Sequence, residues 1–136
     1  MGSGGLVVMD ENSCMVDVAR FFMSFTQRES CGKCTPCRIG NKRLLEMLTK
    51  ICDGKGTEED LADLKDLALT IKNTSLCGLG KCAPNPVLST LDCFYDEYLA
   101  HVKDKKCPAA KCQSMLNYFI NDNCIGCGLC KKNLSS

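Results

Sequence analysis

Three cysteines at equal spacing, in the stretch ESCGKCTPCRIG, are the residues of this chain that most directly suggest chemistry: Cys31, Cys34 and Cys37. A loop that presents thiolates at this spacing can ligate three irons of a cubane cluster, and the fourth ligand then comes from elsewhere in the chain. Zinc sites usually take two ligands from each of two knuckles instead. The spacing therefore favours an iron–sulfur cluster, with a zinc ion and a disulfide as the other possibilities.

The turn SLCGLG supplies a candidate for the fourth ligand, Cys77. Its neighbouring glycines let backbone amides approach a sulfur closely. Cys82, in the same connection, is the competing candidate. Cys37 lies just inside a predicted helix N-terminus, where the thiolate form is favoured. We expect Cys77 to complete a 4Fe–4S site, and a structural zinc site built from the same cysteines is the main alternative.

A second run with the same spacing, CIGCGLC, contains Cys124, Cys127 and Cys130. It matches the start of a ferredoxin loop, in which a fourth cysteine and a proline follow after three more residues. Leu134 and Ser135 stand in those two places, so the fourth cysteine is missing. We expect an incomplete second 4Fe–4S site at these three cysteines and leave its occupancy open.

The single histidine of the chain, His101, precedes two further cysteines, Cys107 and Cys112. Cys14 is another cysteine outside the triple runs. One histidine and three cysteines form a common tetrahedral zinc set. These four residues are therefore a candidate zinc site, and the alternative is that they are unrelated thiols beside a histidine that binds nothing.

Composition restricts the class of protein. The 136 residues include 13 cysteines and carry a formal charge of +1, which does not indicate nucleic-acid or membrane-surface binding. An odd cysteine count without a secretory signal argues against a disulfide framework. No apolar run approaches the roughly 20 residues that span a membrane. We expect a soluble, cytoplasmic protein.

Four amphipathic segments predict helices joined by short links, which is typical of an all-α four-helix bundle. The predicted helices cover residues 14–28 behind Asn12 and Ser13 as caps, Thr35-Pro36 to Gly54, Thr57 to Asn73, and Asn85-Pro86 to Val102. Their predicted apolar faces include Phe25, Ile39, Phe94 and Tyr95. We expect three parts: a linker (1–13), a helical iron–sulfur domain (14–103), and a hinge with a truncated ferredoxin-like tail (104–136).

Seven stretches, in this order, closely resemble one protein group: MGSGGLVVMD, DVARFF, ESCGKCTPCRIG, GKGTEEDL, TSLCGLG, APNPVLSTL and DEYLAH. The group is the NADH-binding flavoprotein subunit of respiratory complex I, with the diaphorase subunits of NAD- and NADP-linked, electron-bifurcating iron hydrogenases. The tail, DKKCPAAKC followed by CIGCGLC, is similar to the hydrogenase-type members. The resemblance implies that the chain is the C-terminal part of such a subunit, truncated at both ends.

The resemblance also implies roles. Cys31, Cys34, Cys37 and Cys77 would bind the 4Fe–4S cluster that takes electrons from FMN after NAD(P)H has reduced it. The expected partners are other iron–sulfur subunits of a NADH dehydrogenase or hydrogenase complex, with no nucleic acid and no membrane insertion. The family's nucleotide and flavin loops have no match here, so the chain alone is not expected to oxidise NADH. The alternative function is a zinc-stabilised protein-interaction module without redox activity.

Overall fold

The computed structural model describes residues 7–116, 124, 125 and 127–129. Within these residues the chain is helical and contains no strand, which confirms the all-α expectation for this part. The α-helices are α1 (Met15–Glu29), α2 (Asn41–Cys52), α3 (Glu58–Thr74), α4 (Gly78–Cys82), α5 (Asn85–Cys93) and α6 (Tyr95–Leu99). Two π-helical turns, Pro36–Gly40 and Ala100–Asp104, precede α2 and follow α6, and a 3₁₀ turn covers Gln113–Met115.

Helices α1, α2, α3 and α5 enclose one apolar core. Helix α1 packs against α2 and α5, and α3 packs against the same two helices. The interior is formed by aliphatic side chains at helical spacing and one tyrosine, including Val16, Ala19, Met23, Leu44, Leu48, Ile51, Leu64, Ala68, Ile71, Val87, Leu91 and Tyr98. Burying such side chains is the main force that holds the helices together.

Several residues predicted on apolar faces are exposed instead: Phe25, Ile39, Phe94 and Tyr95. Phe25 follows the buried Val16 by two and a half helical turns, at about 3.6 residues per turn, so it points to the opposite side of α1. Ile39 lies in the π-helical turn, which shifts the helical phase ahead of α2. Phe94 lies at a break between α5 and α6, where its backbone (φ −130°, ψ 39°) is not helical.

The single helix predicted from Asn85 to Val102 is therefore divided. Helix α5 ends at Cys93, α6 begins at Tyr95, and the π-helical turn ends before Lys105, which has a φ of 51°. Across the break, the Tyr98 hydroxyl lies 2.8 Å from Thr90 Oγ1 and joins the two short helices. A further short helix, α4, occupies what the sequence predicts as a glycine-rich connection.

The observed helix ends match the predicted ones where the interaction that ends or starts the helix lies within a few residues in the sequence. Thr57 and Asp60 form the capping box that starts α3, and Gly54, with a φ of 72°, ends the preceding helix as predicted. The predicted caps of α1 are wrong: Asn12 and Ser13 hydrogen-bond to Asp10. The N-cap of α1 is Cys14, which makes no side-chain capping bond.

Residues 105–116 fold back on the helical core. Cys107, Cys112 and Met115 are buried with the core side chains, and Ser114 Oγ donates to Asp53 Oδ1 at 3.3 Å. Lys105 Nζ donates to the Gly56 carbonyl at 2.7 Å. No described helix has the length and apolar character required to cross a bilayer.

Candidate metal centres

The two predicted cluster loops lie against each other. Residues 30–35 connect α1 to the π-helical turn, and Cys77 is the N-cap of α4. Hydrogen bonds from the backbone amides of Leu76 and Cys37 lower the pKa of the Cys34 thiol. A Cβ added to Gly80 would lie 3.2 Å from the Cβ of Cys37, so α4 packs directly on that cysteine. The loop that carries Cys77 therefore adjoins the loop that carries the three-cysteine run.

The four candidate cysteines differ in exposure. Cys31 and Cys77 are exposed, Cys34 is half-buried, and Cys37 is buried with 4% of its surface accessible. Cys82, the competing fourth ligand, ends the short helix that Cys77 begins and is exposed. Three of the candidate thiols are therefore accessible from the surface, and the fourth is enclosed by the core.

Cys37 has polar neighbours that the sequence analysis did not single out. Asn41 Nδ2 donates to Cys37 Sγ at 3.3 Å, and Ser30 Oγ lies 3.3 Å from the same sulfur. Asn41 follows Cys37 by four residues, across a π-helical turn and into α2, so the pair shares a helix face. The four-residue spacing of Cys37 and Asn41 is visible in the sequence, but it would point to Asn41 only if Cys37 were already known to be a ligand.

These residues fit an iron–sulfur cluster. Ser75 Oγ, beside Gly80, is buried and has no hydrogen-bond partner among the described residues, and cluster sulfurs are acceptors for such a donor. Four thiols and converging N–H groups form the donor set that such clusters use.

A second group gathers far more tightly. Ligand atoms of Cys14, His101, Cys107 and Cys112 all lie within 4.8 Å of one another, and all four residues are buried. Cys14 Sγ is 3.9 Å from Cys112 Sγ, and His101 Nε2 is 3.3 Å and 3.5 Å from those two sulfurs. Zinc–sulfur bonds of ~2.3 Å at tetrahedral angles place two sulfurs ~3.8 Å apart. The observed spacing matches a single tetrahedral ion.

Separate parts of the fold supply these four residues. Cys14 occupies the N-cap position of α1, His101 lies in the π-helical turn after α6, and the other two belong to residues 105–116. His101 Nδ1 donates to the Glu97 carbonyl at 2.7 Å, which leaves Nε2 directed at the sulfurs. Such a bond fixes the ring orientation and the tautomer of a metal-binding histidine.

The electrostatics of this group favour proton loss from one thiol. Burial raises the pKa of Cys107, but the backbone amides of Cys112 and Lys111 lower it to about 7 overall. Burial lowers the pKa of His101, whereas hydrogen bonds to Cys14 and the Glu97 carbonyl raise it to about 9. A cation that enters such a group displaces the shared protons, since the ligands of a bound metal are thiolates and a neutral imidazole.

The remaining cysteines are more scattered. Cys52 is buried beside Cys112, as expected for a small apolar side chain. Cys93, predicted to be at least half-buried, is exposed because it lies at the end of α5. In the tail run, Cys124 and Cys127 are exposed, and Cys130 lies outside the described residues.

Residues 17–101 match the family model described as the NADH-ubiquinone oxidoreductase-F iron-sulfur binding region. The chain is 62% identical over 133 residues to the HndC subunit of the NADP-reducing hydrogenase of Solidesulfovibrio fructosivorans, covering 97% of this chain and 27% of that protein. It is 41% identical to a subunit of the NADH-quinone oxidoreductase of Mycobacterium tuberculosis, covering 85% of this chain and 26% of that protein.

Solved structures agree with these relatives. A NAD⁺-reducing [NiFe]-hydrogenase in the H₂-reduced state superposes with a TM-score of 0.67 at 33% identity, covering 71% of this chain and 17% of that chain. The chain spans about a quarter of the length of the curated relatives it matches. The family model covers residues 17–101, and the first relative matches 97% of the chain. This chain therefore belongs to the NADH-ubiquinone oxidoreductase-F iron–sulfur binding family.

Proposed function

We propose that this chain is the electron-relay domain of an NAD(P)H-dependent oxidoreductase subunit, with a 4Fe–4S cluster held by Cys31, Cys34, Cys37 and Cys77. The observation that supports this most strongly is the apposition of the three-cysteine loop and the Cys77 loop in a member of an iron–sulfur binding family. When bound, the cluster supplies outer-sphere exchange of single electrons.

The protein itself would bind, orient and partly shield the cluster. The buried Cys37 would hold the cluster on its inner side, the amides of Leu76 and Cys37 favour the thiolate form of Cys34, and Gly80 permits the close approach of α4. We infer that α1, α2, α3 and α5 act as a four-helix bundle that fixes the separation of the two loops. No general acid, base or nucleophile is required.

The wider assignment follows from the relatives. Their names describe subunits of a NADP-reducing hydrogenase and of a NADH-quinone oxidoreductase. We infer that the parent subunit binds FMN and NAD(P), and that electrons pass from FMN through this domain to other iron–sulfur subunits. The described cysteines are free thiols, which suits a reducing compartment such as the cytoplasm.

Metal and sulfide analysis of anaerobically reconstituted protein, with EPR spectroscopy after reduction, tests the cluster. We expect four irons per chain from this site, and loss or conversion to a three-iron form in Cys77→Ala. Cys82→Ala is the matched control and keeps the wild-type spectrum. Loss of the cluster in Cys82→Ala but not in Cys77→Ala would reassign the fourth ligand, and zinc without iron in the wild type would refute the relay function.

We further propose that Cys14, His101, Cys107 and Cys112 bind a structural zinc ion. Their mutual spacing, burial and bond from His101 to Glu97 support this. Zinc analysis should give one ion per chain that Cys112→Ala loses and Cys93→Ala, at an exposed thiol, retains. A wild-type protein that binds no zinc after exposure to equimolar metal would refute the site.

We propose that residues 104–136 comprise a hinge, part of which packs on the helical core, and a ferredoxin-like segment. Cys124, Cys127 and Cys130 would form an incomplete second 4Fe–4S site, and irons beyond the first four would report its occupancy. The alternative function, a zinc-stabilised interaction module, is favoured only by the tight Cys14 group. Visible absorbance of the reconstituted protein separates the two functions, because zinc sites are colourless.

A further inference from the structure

Asn41 has a buried side chain that directs its amide nitrogen at Cys37. Nδ2 lies 3.3 Å from Cys37 Sγ, and the residue exposes 0% of its surface. Its other polar atom, Oδ1, has no hydrogen-bond partner among the residues that the structure describes. Burial of an amide with an unpaired oxygen costs stability. The side chain therefore does not serve stability alone.

The chemistry of sulfur fixes the orientation of this amide. A thiolate accepts hydrogen bonds and donates none, so the amide must present N–H rather than oxygen to it. Packing holds the amide in that position: a Cβ added to Gly40 would lie 2.5 Å from Ile71 Cγ1. Helix α3 therefore packs directly against the turn that joins Cys37 to Asn41.

Ser30 provides a second donor to the same sulfur. Its Oγ lies 3.3 Å from Cys37 Sγ, and when Cys37 is a thiolate the hydroxyl must be the donor. Ser30 is half-buried at the end of α1, whereas Asn41 is fully enclosed. Two side chains from different helices thus converge on one ligand.

Cys37 is also the ligand that water reaches least. Cys31 and Cys77 are exposed, so solvent can donate hydrogen bonds to their sulfurs, but Cys37 is 4% exposed. Hydrogen bonds to cluster sulfurs are among the factors that set reduction potential. At Cys37 that factor is supplied by the protein itself.

We propose that Asn41, assisted by Ser30, raises the reduction potential of the bound cluster by hydrogen bonding to the Cys37 thiolate. This inference rests on the proposed cluster at Cys31, Cys34, Cys37 and Cys77. Reduction by one electron increases the negative charge on the ligating sulfurs, so N–H and O–H donors stabilise the reduced state more than the oxidised state. Asn41 acts through Cys37 and is a positioning residue that controls the driving force for electron transfer.

An EPR-monitored redox titration of the reconstituted chain tests the proposal. We expect Asn41→Leu, which keeps the bulk and removes the donor, to lower the equilibrium constant for reduction about tenfold, which is a shift of about 59 mV for one electron. Ser30→Ala should lower it less, because water can replace a half-buried hydroxyl. Thr90→Val, which removes another buried hydroxyl and its bond to Tyr98, should leave the potential unchanged although it lowers the unfolding temperature.

The outcomes separate this inference from the function on which it rests. A wild-type chain without a 4Fe–4S signal would refute the proposed cluster. A normal cluster with the wild-type potential in both Asn41→Leu and Ser30→Ala would overturn only the tuning role. If Asn41→Leu does not assemble a cluster, the isosteric Asn41→Asp should show a potential below that of the wild type. Failure of all three variants to assemble one, while Thr90→Val succeeds, would assign the pair to assembly and overturn the proposal.

Discussion

Cys14 Sγ lies 3.3 Å from His101 Nε2, although 87 residues separate the two in sequence. The contact joins the start of α1 to the turn after α6, and Cys107 and Cys112 complete the group from residues 105–116. A metal ion bound by this group would hold residues 105–116 on the core in addition to the burial of Met115.

Removal of zinc should therefore release that segment. In protein that has bound zinc, a strong chelator should accelerate tryptic cleavage after Lys105, Lys106 or Lys111 by at least about tenfold, because proteolysis follows local opening. Mass spectrometry of the fragments identifies the bond. Cys112→Ala should be cleaved rapidly with or without chelator, and equal rates for loaded and stripped wild type would contradict the role of the metal.

Two glycines of α4 should respond differently to alanine. A Cβ at Gly80 would lie 2.6 Å from Ser75 Oγ and 3.2 Å from Cys37 Cβ, whereas a Cβ at Gly78 meets nothing within 4 Å. Overpacking typically costs ~1–3 kcal/mol. Denaturant unfolding should show that loss in Gly80→Ala, and Gly78→Ala should match the wild type or gain up to ~1 kcal/mol of helix propensity. Equal stability of the two variants would rule out the close approach of α4.

The hydrogen bond across the helix break should contribute measurably to stability. Tyr98 is buried and its hydroxyl lies 2.8 Å from Thr90 Oγ1. Tyr98→Phe should reduce the free energy of unfolding by ~0.5–1.5 kcal/mol, the usual net contribution of such a bond. Tyr95→Phe, at an exposed tyrosine on the same short helix, is the control and should have no effect.

Asp60 should link stability to pH. Burial alone raises the pKa of Asp60, but hydrogen bonds from Lys50 and Thr57 lower it below 3.8 overall. Because the folded-state pKa is the lower one, the stabilisation is complete above the unfolded-state value and disappears as the pH falls through the folded-state pKa. At neutral pH, the free energy of unfolding of Asp60→Asn should be ~1 kcal/mol below that of the wild type, and this difference should shrink progressively below pH 3.8.

Comparison of the two proteins at each pH isolates this carboxylate, since any acid-induced loss of metal affects both alike. Asp63→Asn, at an exposed position of the same helix, provides the control for loss of one negative charge. A constant difference between wild type and Asp60→Asn from neutral pH to well below pH 3.8 would show that the capping box and the Lys50 contact do not depend on the charge.

The features that could be predicted from the sequence are those that depend on residues close together in the chain. The start of α3 depends on Thr57 and Asp60, three residues apart, so the pattern contains the whole interaction. The spacing of Cys31, Cys34 and Cys37 likewise predicts a metal loop without knowledge of the fold. The break at Phe94 was not predicted because it depends on packing and on the contact between Tyr98 and Thr90, which helical periodicity does not encode.

The candidate sites show the same division. Sequence identifies cysteine and histidine as ligand types, but the meeting of Cys14 with His101 requires the complete path of the chain through α1 to α6. Asn41 was missed because a single asparagine at the start of a helix has no distinctive pattern. Its role emerges only from burial and from the direction of its amide.

The tight Cys14 group has a topological consequence. An ion that joined Cys14 to Cys112 would close a covalent and coordinate ring around residues 14–112, which include Cys31, Cys34, Cys37 and Cys77. Closing a ring of about 100 residues removes ~4.7 kcal/mol of chain entropy from the unfolded state in the cross-link model. While zinc remained bound, local opening of either cysteine loop would take place inside a closed ring rather than along an open chain. Zinc that is bound first would let iron enter a protein in which residues 14 and 112 are already joined.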